Sequence, residues 1–231
     1  MPSDESLFFL KTLKEDGVEH VHISKTNRGH APNSSKSAKS GCDPALSEIS
    51  GLRAKIDACK LCAELAKTRN KVVFGSGSLQ EKLVFVGEAP GADEDQQGLP
   101  FVGRAGQLLT KIIEAMGMTR DQVFICNVLK CRPPNNRPPA PGEVVNCRPY
   151  LKQQLEIIKP KVIVALGNHA VRALLQTEQG ISALRGSFQT YEGIPVMCTY
   201  HPAYLLRSPG EKRKVWEDMK KVMKLLEKSE P

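Results

Sequence analysis

Short apolar runs alternate with stretches of helical periodicity along most of this chain. Strands are predicted over 82–87, 123–129, 161–167 and 194–200, and helices over 104–117, 142–159, 168–175 and 211–226. Pro149 predicts a kink or a fresh start within the second of these helices. Because strands and helices take turns, the pattern predicts parallel strand pairing with helices on both faces. The predicted fold is α/β, a three-layer α/β/α domain with a small central four-stranded parallel sheet.

The first 45 residues have a different pattern. Apolar side chains at helical spacing predict a short amphipathic helix over residues 6–16, whereas residues 28–44 are rich in Ser, Lys, Asn, Gly and Pro. A stretch with almost no bulky apolar side chain cannot supply a core and is typical of a flexible linker. The sequence thus predicts an N-terminal extension over residues 1–45 and a single domain over residues 46–231.

Three polar residues stand at the carboxyl ends of predicted strands. Glu88 comes just after the first strand, Asn127 lies near the end of the second, and His201 comes just after the fourth. In open parallel sheets, ligands bind beyond the carboxyl ends of the strands. We therefore expect these three side chains to meet in one crevice.

The loop after the first strand has the sequence GEAPG, residues 87–91. Its glycines and backbone N–H groups allow a ligand to approach closely, although a plain Gly/Pro turn leaving a strand has the same composition. Neither the phosphate-loop motif nor the dinucleotide fingerprint is present, so the sequence gives no support for nucleotide triphosphate or dinucleotide binding.

Each candidate side chain has a functional and a structural interpretation. Phe101 follows Gly98-Leu99-Pro100, where a rigid ring can stack on a planar base or pack in the core. Asn127 interrupts an apolar strand, and its amide can bind one edge of a nucleobase or serve a structural hydrogen bond. His201 can stabilise developing negative charge or be an ordinary surface residue.

Lys and Arg outnumber Asp and Glu by 33 to 25, which gives a net charge of +8 and favours an anionic partner, nucleic acid first. Leu205, Leu206 and Arg207 stand in a segment where exposed leucines flank cations. Apolar wedges beside cations suit insertion into a duplex next to phosphate contacts. A solvated charged helix face would have the same composition.

No apolar run approaches the roughly 20 residues that span a membrane. The N-terminus lacks a secretory pattern, since Asp4 and Glu5 precede a short apolar run. We expect a monomeric cytoplasmic protein that does not bind membranes. In a reducing compartment its cysteines are expected to be ligands or core thiols rather than disulfides.

Four of the seven cysteines form a metal-ligand pattern. Cys59 and Cys62 are spaced as C-x2-C, and Cys131 and Cys147 follow sixteen residues apart. This spacing leans towards an iron–sulfur cluster but leaves zinc and unrelated buried thiols open. Of the other three, Cys126 and Cys198 lie in predicted strands as core thiols and Cys42 lies in the polar linker.

Together these segments resemble the iron–sulfur, type-four uracil-DNA glycosylases of the uracil-DNA glycosylase superfamily. The resemblance covers roughly residues 52–228 and rests on the cysteine set and on GEAPGADED, GLPFVGRAG, NVLKCRPPNNR and HPAYLLR. It implies a DNA repair enzyme that hydrolyses the N-glycosidic bond of uracil in DNA, releasing uracil and leaving an abasic site. It also implies that the four cysteines Cys59, Cys62, Cys131 and Cys147 hold a structural [4Fe–4S] cluster.

The resemblance assigns roles to single residues as well. It makes Glu88 and His201 catalytic, with His201 near the uracil O2. It places the base against the loop residues Gly87, Ala89 and Gly91, with Phe101 stacking on the base and Asn127 reading its edge. Leu205, Leu206 and Arg207, whose segment has the composition of a wedge beside cations, are the predicted DNA contacts.

The chain departs from other branches of the superfamily at two loop positions. The best-known, cluster-free branch has an Asp before the loop proline that orients the attacking water, and here that residue is Ala89. We expect Glu88 to take this role, with Glu94 and Asp95 as alternatives. The residue that blocks the thymine methyl group in that branch is Gly91 here, so thymine exclusion must come from elsewhere.

Two other activities compete with turnover of uracil-containing DNA. A cross-linking relative has Gln after the loop glutamate and a His-containing insertion, whereas this chain has Ala89 and no His between Asn127 and Cys147. A monofunctional glycosylase is therefore expected. The competing hypothesis is a non-catalytic nucleic-acid-binding module stabilised by a cluster or by zinc, which leaves the three strand-end features unexplained.

Overall fold

A computed structural model describes residues 44–80 and 82–228. The strands are β1 (Ser76–Gly77), β2 (Leu83–Gly87), β3 (Phe124–Asn127), β4 (Val162–Leu166), β5 (Phe188–Tyr191) and β6 (Ile194–Thr199). The helices are α1 (Pro44–Asp57), α2 (Ala63–Thr68), α3 (Ala92–Gln97), α4 (Arg104–Ala115), α5 (Pro141–Ile158), α6 (Gly167–Leu175), α7 (Ile181–Leu184), α8 (Pro202–Arg207) and α9 (Lys212–Glu227).

The strands form one sheet in the order β1-β3-β2-β4-β6-β5. The four central strands are parallel and are those predicted from the apolar runs. The antiparallel edge strands β1 and β5 were not predicted. Strand β1 has only two residues, and β5 joins β6 through Glu192 and Gly193, both at positive φ. This turn suits a hairpin, but Glu-Gly is a weaker hairpin signal than Asn-Gly or Asp-Gly.

The alternating side chains of the parallel strands pack into two cores. On one face, Phe85 and Val164 pack with α4 and α9, and on the other, Val84 and Ile163 pack with α1, α5 and α6. Successive strand residues point to opposite faces, so strands covered on both faces are apolar throughout. The predicted α/β/α layering is confirmed. Cys126 and Cys198 are core thiols, as predicted.

The predicted helices are confirmed to within two residues at each end, and α5 continues through Pro149. Helix α1 and the short helices α2, α3, α7 and α8 were not predicted. The predicted helix over residues 6–16 and the linker, apart from Pro44, lie outside the described residues. No helix in the described part of the chain is both long and apolar enough to span a membrane.

The strand register aligns the carboxyl ends of the four parallel strands. Gly87 at the end of β2 pairs with Asn127 at the end of β3, and Leu166 at the end of β4 pairs with Thr199 at the end of β6. The pairing continues past β3, because Val128 donates a backbone hydrogen bond to the carbonyl of Gly87 over 2.9 Å. The four carboxyl ends therefore lie along one edge of the sheet.

Helix α4 approaches the chain before it very closely. A Cβ atom built on Gly106 would lie 1.9 Å from the carbonyl oxygen of Phe101. Only glycine leaves room for the helix to pack against this segment of backbone.

The substitution Gly106→Ala should therefore lower the free energy of unfolding by about 2 kcal/mol or more, in the range of other overpacked sites. Gly51→Ala in α1 is the matched control, because a Cβ atom there has nothing within 4 Å. The control should be about 0.5 to 1 kcal/mol more stable than the wild type, since alanine favours a helix over glycine. Urea unfolding of both variants measures the difference. Equal stabilities would contradict the close approach.

Candidate functional site

The residues predicted at the strand ends converge on one crevice. A Cβ atom built on Gly87 would lie 2.4 Å from Oδ1 of Asn127 and 2.5 Å from Cζ of Phe101. The rings of Phe101 and His201 have their centroids 5.6 Å apart. Asn127, Phe101 and His201 therefore line one space, with the bare backbone of Gly87 between the amide and the phenyl ring.

Asn127 is 2% exposed, and its Oδ1 has no hydrogen-bond partner among the described residues. Its backbone is firmly held, because the buried Nζ of Lys130 donates to its carbonyl over 2.6 Å and to Oε1 of Gln154 over 2.6 Å. A buried acceptor without a partner costs about 1 to 3 kcal/mol. The arrangement suits a ligand that brings an N–H donor to this oxygen.

Phe101 has a positive φ of 52°, an uncommon conformation for a bulky residue. Arg120 fixes it by donating from Nη1 to the Phe101 carbonyl over 3.1 Å and from Nη2 to the Pro100 carbonyl over 2.8 Å. The ring is 6% exposed and also packs in the core with Leu109 and Leu205. The side chain packs in the core, as one of the two interpretations predicted, and it also lies beside Gly87 and His201.

The two carboxylates named as alternatives to Glu88 are engaged elsewhere. Glu94 accepts hydrogen bonds from the backbone N–H groups of Gly91, Val102 and Gly103 at 3.0 to 3.1 Å. Asp95 is fully buried and accepts from the backbone and side chain of Asn70. Glu94 therefore joins the GEAPG loop to the segment after Phe101, and neither carboxylate stands in for Glu88.

His201 caps helix α8. Its Nδ1 accepts a hydrogen bond from the backbone N–H of Ala203 over 3.1 Å. A neutral imidazole that accepts at Nδ1 carries its proton on Nε2. Burial, together with the nearby charge of Arg207, lowers the pKa of His201 to about 4. His201 is therefore a neutral donor from Nε2 over the physiological pH range.

Glu88 directly follows β2, next to Gly87, and 32% of its side chain is exposed. Burial raises its pKa above the usual value for a glutamate, and the nearby His169 partly offsets that rise. Oε2 of Glu88 lies 4.0 Å from Nε2 of His169. A carboxylate with a raised pKa at a strand end is typical of catalytic positions.

The four cysteines Cys59, Cys62, Cys131 and Cys147 line one cavity with Leu61, Leu65 and Leu129. Their charges are close enough to influence one another's pKa values. Burial raises the pKa of Cys131 and of Cys147, which is opposite to the shift that activates a nucleophilic cysteine. Within residues 44–80 and 82–228, no three His, Cys, Asp or Glu side chains converge as ligands of a single ion.

Each of the four sulfur atoms has one hydrogen-bonding neighbour. Nη1 of Arg69 donates to Cys131 over 3.0 Å, and the backbone N–H of Lys130 donates to Cys147 over 3.3 Å. Nδ2 of Asn146 lies 3.6 Å from the sulfur of Cys62. The hydroxyl of Tyr150 is hydrogen-bonded to Cys59, which raises the pKa of Tyr150 to about 12. Donors of this kind stabilise negatively charged thiolate ligands.

One residue of the predicted DNA-contacting set needs a correction. Leu205 was predicted to be exposed, but it is fully buried because it faces inward from α8 against the core next to Phe101. Leu206, at 40% exposed, and Arg207 are the residues of this set that face solvent. A six-residue helix packed on the core must bury one side, and the adjacent leucines do not show from sequence which of them lies on that side.

The profile of the Uracil DNA glycosylase superfamily matches residues 74–220 of this chain. The chain belongs to this superfamily. A type-4 uracil-DNA glycosylase of Thermotoga maritima is 45% identical over 178 residues, which make up 75% of this chain and 92% of the relative. A type-4 uracil-DNA glycosylase of Sulfurisphaera tokodaii is 42% identical over 78% of this chain and 86% of its own length. A type-5 uracil-DNA glycosylase of Pyrobaculum aerophilum is 34% identical over 58% of this chain and 66% of the relative.

Sequence reasoning missed His169 in this member of the uracil-DNA glycosylase superfamily. His169 lies in the first turn of α6, directly beyond β4, and so stands at the fourth parallel strand end. The rule that ligands bind beyond the carboxyl ends of parallel strands could have found it. Arg69, Arg120 and Lys130 were also missed, and no local pattern marks them, since they act across 10 to 62 residues of sequence.

The ionisation of His201 can be measured directly. We expect the carbon-13 shift of its imidazole Cε1, followed by NMR, to stay at the neutral position down to about pH 5 and to titrate near the value of about 4 set by its burial. The His201→Asn variant identifies the resonance. A midpoint at the ordinary histidine value, about 6.5, would contradict the buried neutral imidazole.

Proposed function

We propose that this protein is a monofunctional uracil-DNA glycosylase that hydrolyses the bond between deoxyribose C1′ and uracil N1 in DNA, releasing uracil and leaving an abasic site. The observation that carries this proposal is the buried, unpartnered Oδ1 of Asn127 beside Gly87 and Phe101. Membership of the superfamily supports it, and so do the names of the type-4 relatives.

The crevice offers complementary groups to uracil. Oδ1 of Asn127 accepts a hydrogen bond from the uracil N3–H, and the amide N–H donates to O4. Cytosine presents the opposite pattern, with an acceptor at N3 and a donor at C4, so a fixed amide discriminates between the two bases. The ring of Phe101 supplies a stacking surface worth about 1 to 3 kcal/mol.

Bond cleavage places negative charge on the departing uracil and positive charge on the sugar. The Nε2–H of His201 donates to O2 of the departing base and stabilises the negative charge as it develops. Because burial keeps His201 neutral, it donates without first binding a proton from solvent. Removing one such donor costs about a hundredfold or more in rate.

Glu88 serves the sugar side of the reaction. Its carboxylate orients a water molecule towards C1′ or stabilises the sugar cation through charge, and the hydroxyl group of the water ends on C1′. Ala89 has no polar side chain for this task, while Glu94 and Asp95 are held by backbone N–H groups. Glu88 is therefore the carboxylate on which the reaction depends.

Uracil inside a duplex must leave the base stack before it can reach this crevice, at a cost of a few kcal/mol. Leu206 stands on α8, just beyond His201, with 40% of its surface exposed. An apolar side chain in this place can fill the gap left in the stack, while Arg207 contacts a phosphate. Leu205 supports α8 from the core and makes no DNA contact.

The four cysteines fit a [4Fe–4S] cluster. Four thiols around a cavity with apolar walls supply one ligand for each iron, and the neighbouring donors offset the charge of the thiolates. Cys59, Cys62, Cys131 and Cys147 would hold the cluster, which would cross-link the loop after α1 to the segment after β3 and to α5. None of the crevice residues Gly87, Phe101, Asn127 and His201 lines this cavity, so the cluster would have a structural role.

The competing hypothesis of a non-catalytic nucleic-acid-binding module loses support. Such a module has no need of a neutral buried imidazole, an unpartnered amide and a carboxylate with a raised pKa at neighbouring strand ends. The cytoplasmic location and the monomeric state stay predictions from the sequence.

The direct test of the proposal is alkali-sensitive cleavage of an oligonucleotide with one uracil, using protein purified without oxygen. We expect cleavage at uracil and none in a matched oligonucleotide with thymine, since the enzyme leaves an abasic site and does not cut the backbone itself. Equal binding of both oligonucleotides with no base release, by protein with its cluster intact, would instead support the binding module.

The role of Glu88 predicts a specific pH dependence. Ionised Glu88 is needed, so the single-turnover rate of the wild type should fall as the pH drops through its pKa, which burial holds above 4.5. The variant Glu88→Gln should lose about a hundredfold or more in rate and should lack this acidic limb. Asp93→Asn, in the first turn of α3, is the control. An unchanged rate in Glu88→Gln would rule out this assignment.

If the four cysteines hold a cluster, replacing one of them should lower the iron content of the protein. Wild-type protein purified without oxygen should contain about four iron and four sulfide per chain, and Cys147→Ser should lose most of both. Cys126→Ala, which alters a core thiol in β3, should keep them. One zinc per chain in place of iron would contradict the assignment.

A further inference from the structure

A groove of about 230 Å³ runs between helices α4 and α8, and Leu206, the proposed wedge, is one of its lining residues. Both of its walls begin at the crevice, since α4 starts three residues after Phe101 and α8 starts directly after His201. A DNA strand that delivers a nucleotide into the crevice therefore passes along this groove or beside it.

All the charged side chains among the described lining residues of the groove are positive. Arg104, Lys111 and Lys212 line it, and none of the lining residues is acidic. Buried Leu108 and Leu205 form its apolar floor, and the exposed Leu206 stands at its rim. Cations above an apolar floor suit a chain of sugars and phosphates, which combines both kinds of surface.

Two cations of the groove lie at the starts of helices, since Arg104 is the first residue of α4 and Lys212 is the first residue of α9. Cations at a helix N-terminus oppose the helix dipole, typically by about 0.3 to 1 kcal/mol each. Carboxylates already lie at both helix ends, because Glu94 accepts a hydrogen bond from the backbone N–H of Gly103 and Glu211 is the N-cap residue of α9. The cations of the groove, rather than the helix ends, are therefore the groups that suit phosphates.

The groove also has a length that matches several nucleotides. Arg104 and Lys111 are seven residues apart, so they lie on one face of α4, about 10 Å apart along its axis. At about 3.4 Å of rise per nucleotide in one strand, this distance spans about three nucleotides.

We propose that the groove between α4 and α8 binds the sugar–phosphate backbone of the uracil-containing strand over about three nucleotides next to the flipped one. Arg104 and Lys212 each neutralise one phosphate. The identity of this strand rests on the proposed function, whereas the recognition of backbone phosphates rests on the groove alone.

The test is the salt dependence of DNA binding by the double variant Arg104→Gln/Lys212→Gln. The probe is a fluorescent duplex carrying 2′-fluoro-2′-deoxyuridine, whose fluorine slows glycosidic cleavage, and the affinity is read from fluorescence anisotropy. Losing two phosphate contacts should reduce the slope of log affinity against log salt concentration by about 2, and should weaken binding about tenfold or more at low salt.

The control is Lys55→Gln/Lys159→Gln, which removes the same charge from a groove that also contains Glu48 and Glu156. This control should bind with the wild-type slope. Thermal unfolding checks the fold, because the test variant should melt at the wild-type temperature or above it once the cations no longer oppose the helix dipoles.

A wild-type slope in Arg104→Gln/Lys212→Gln would overturn the proposal, and so would equal losses in the two double variants. DNA binding is measured without base excision, so the result can be interpreted even if the wild type releases no uracil. Failure of the wild type to release uracil would reject the proposed glycosylase function but would not reject the backbone groove.

Discussion

The parallel register of the four central strands is the constraint on which the site depends. Gly87 pairs with Asn127 and Leu166 with Thr199, so the strands end at one level and the residues beyond them face a common crevice. A slip of one residue would turn the Asn127 side chain to the opposite face of the sheet. Packing on the two apolar faces holds the register, because such a slip would move side chains from one closely packed core into the other. The chemistry of the crevice is thus fixed by packing that takes no part in it.

Buried polar groups then hold the crevice residues in place. Arg120 and Glu94 fix the segment around Phe101 from two sides. Lys130 links the crevice to the cysteines, since its Nζ donates to the Asn127 carbonyl while its backbone N–H donates to the sulfur of Cys147. The cysteine site is therefore linked to the end of β3, which carries the amide proposed to read the base. The proposed cluster would stabilise this strand end from outside the crevice.

The sequence was sufficient for the parallel layers and for the strand ends, since apolar runs and helical periodicity are local signals. Glu88, Asn127 and His201 could be found because the topology of parallel sheets places strand ends together. Local composition could not show that Leu205 faces inward, because that depends on how α8 packs on the core. Edge strand β5 and the roles of Arg69 and Arg120 depend on partners distant in sequence or on a weak turn signal. No periodic pattern in a single sequence marks long-range contacts of this kind.

The central claim is that the unpartnered amide of Asn127 reads uracil beside Gly87. The most direct measurement is the NMR response of the Asn127 side-chain amide to free uracil, with cytosine as the control base. We expect uracil to shift this signal and cytosine to leave it unchanged. In Gly87→Ala the response should disappear, because the added methyl group would lie 2.4 Å from Oδ1. Uracil binding that leaves the Asn127 amide signal unmoved, or that survives Gly87→Ala undiminished, would contradict the claim.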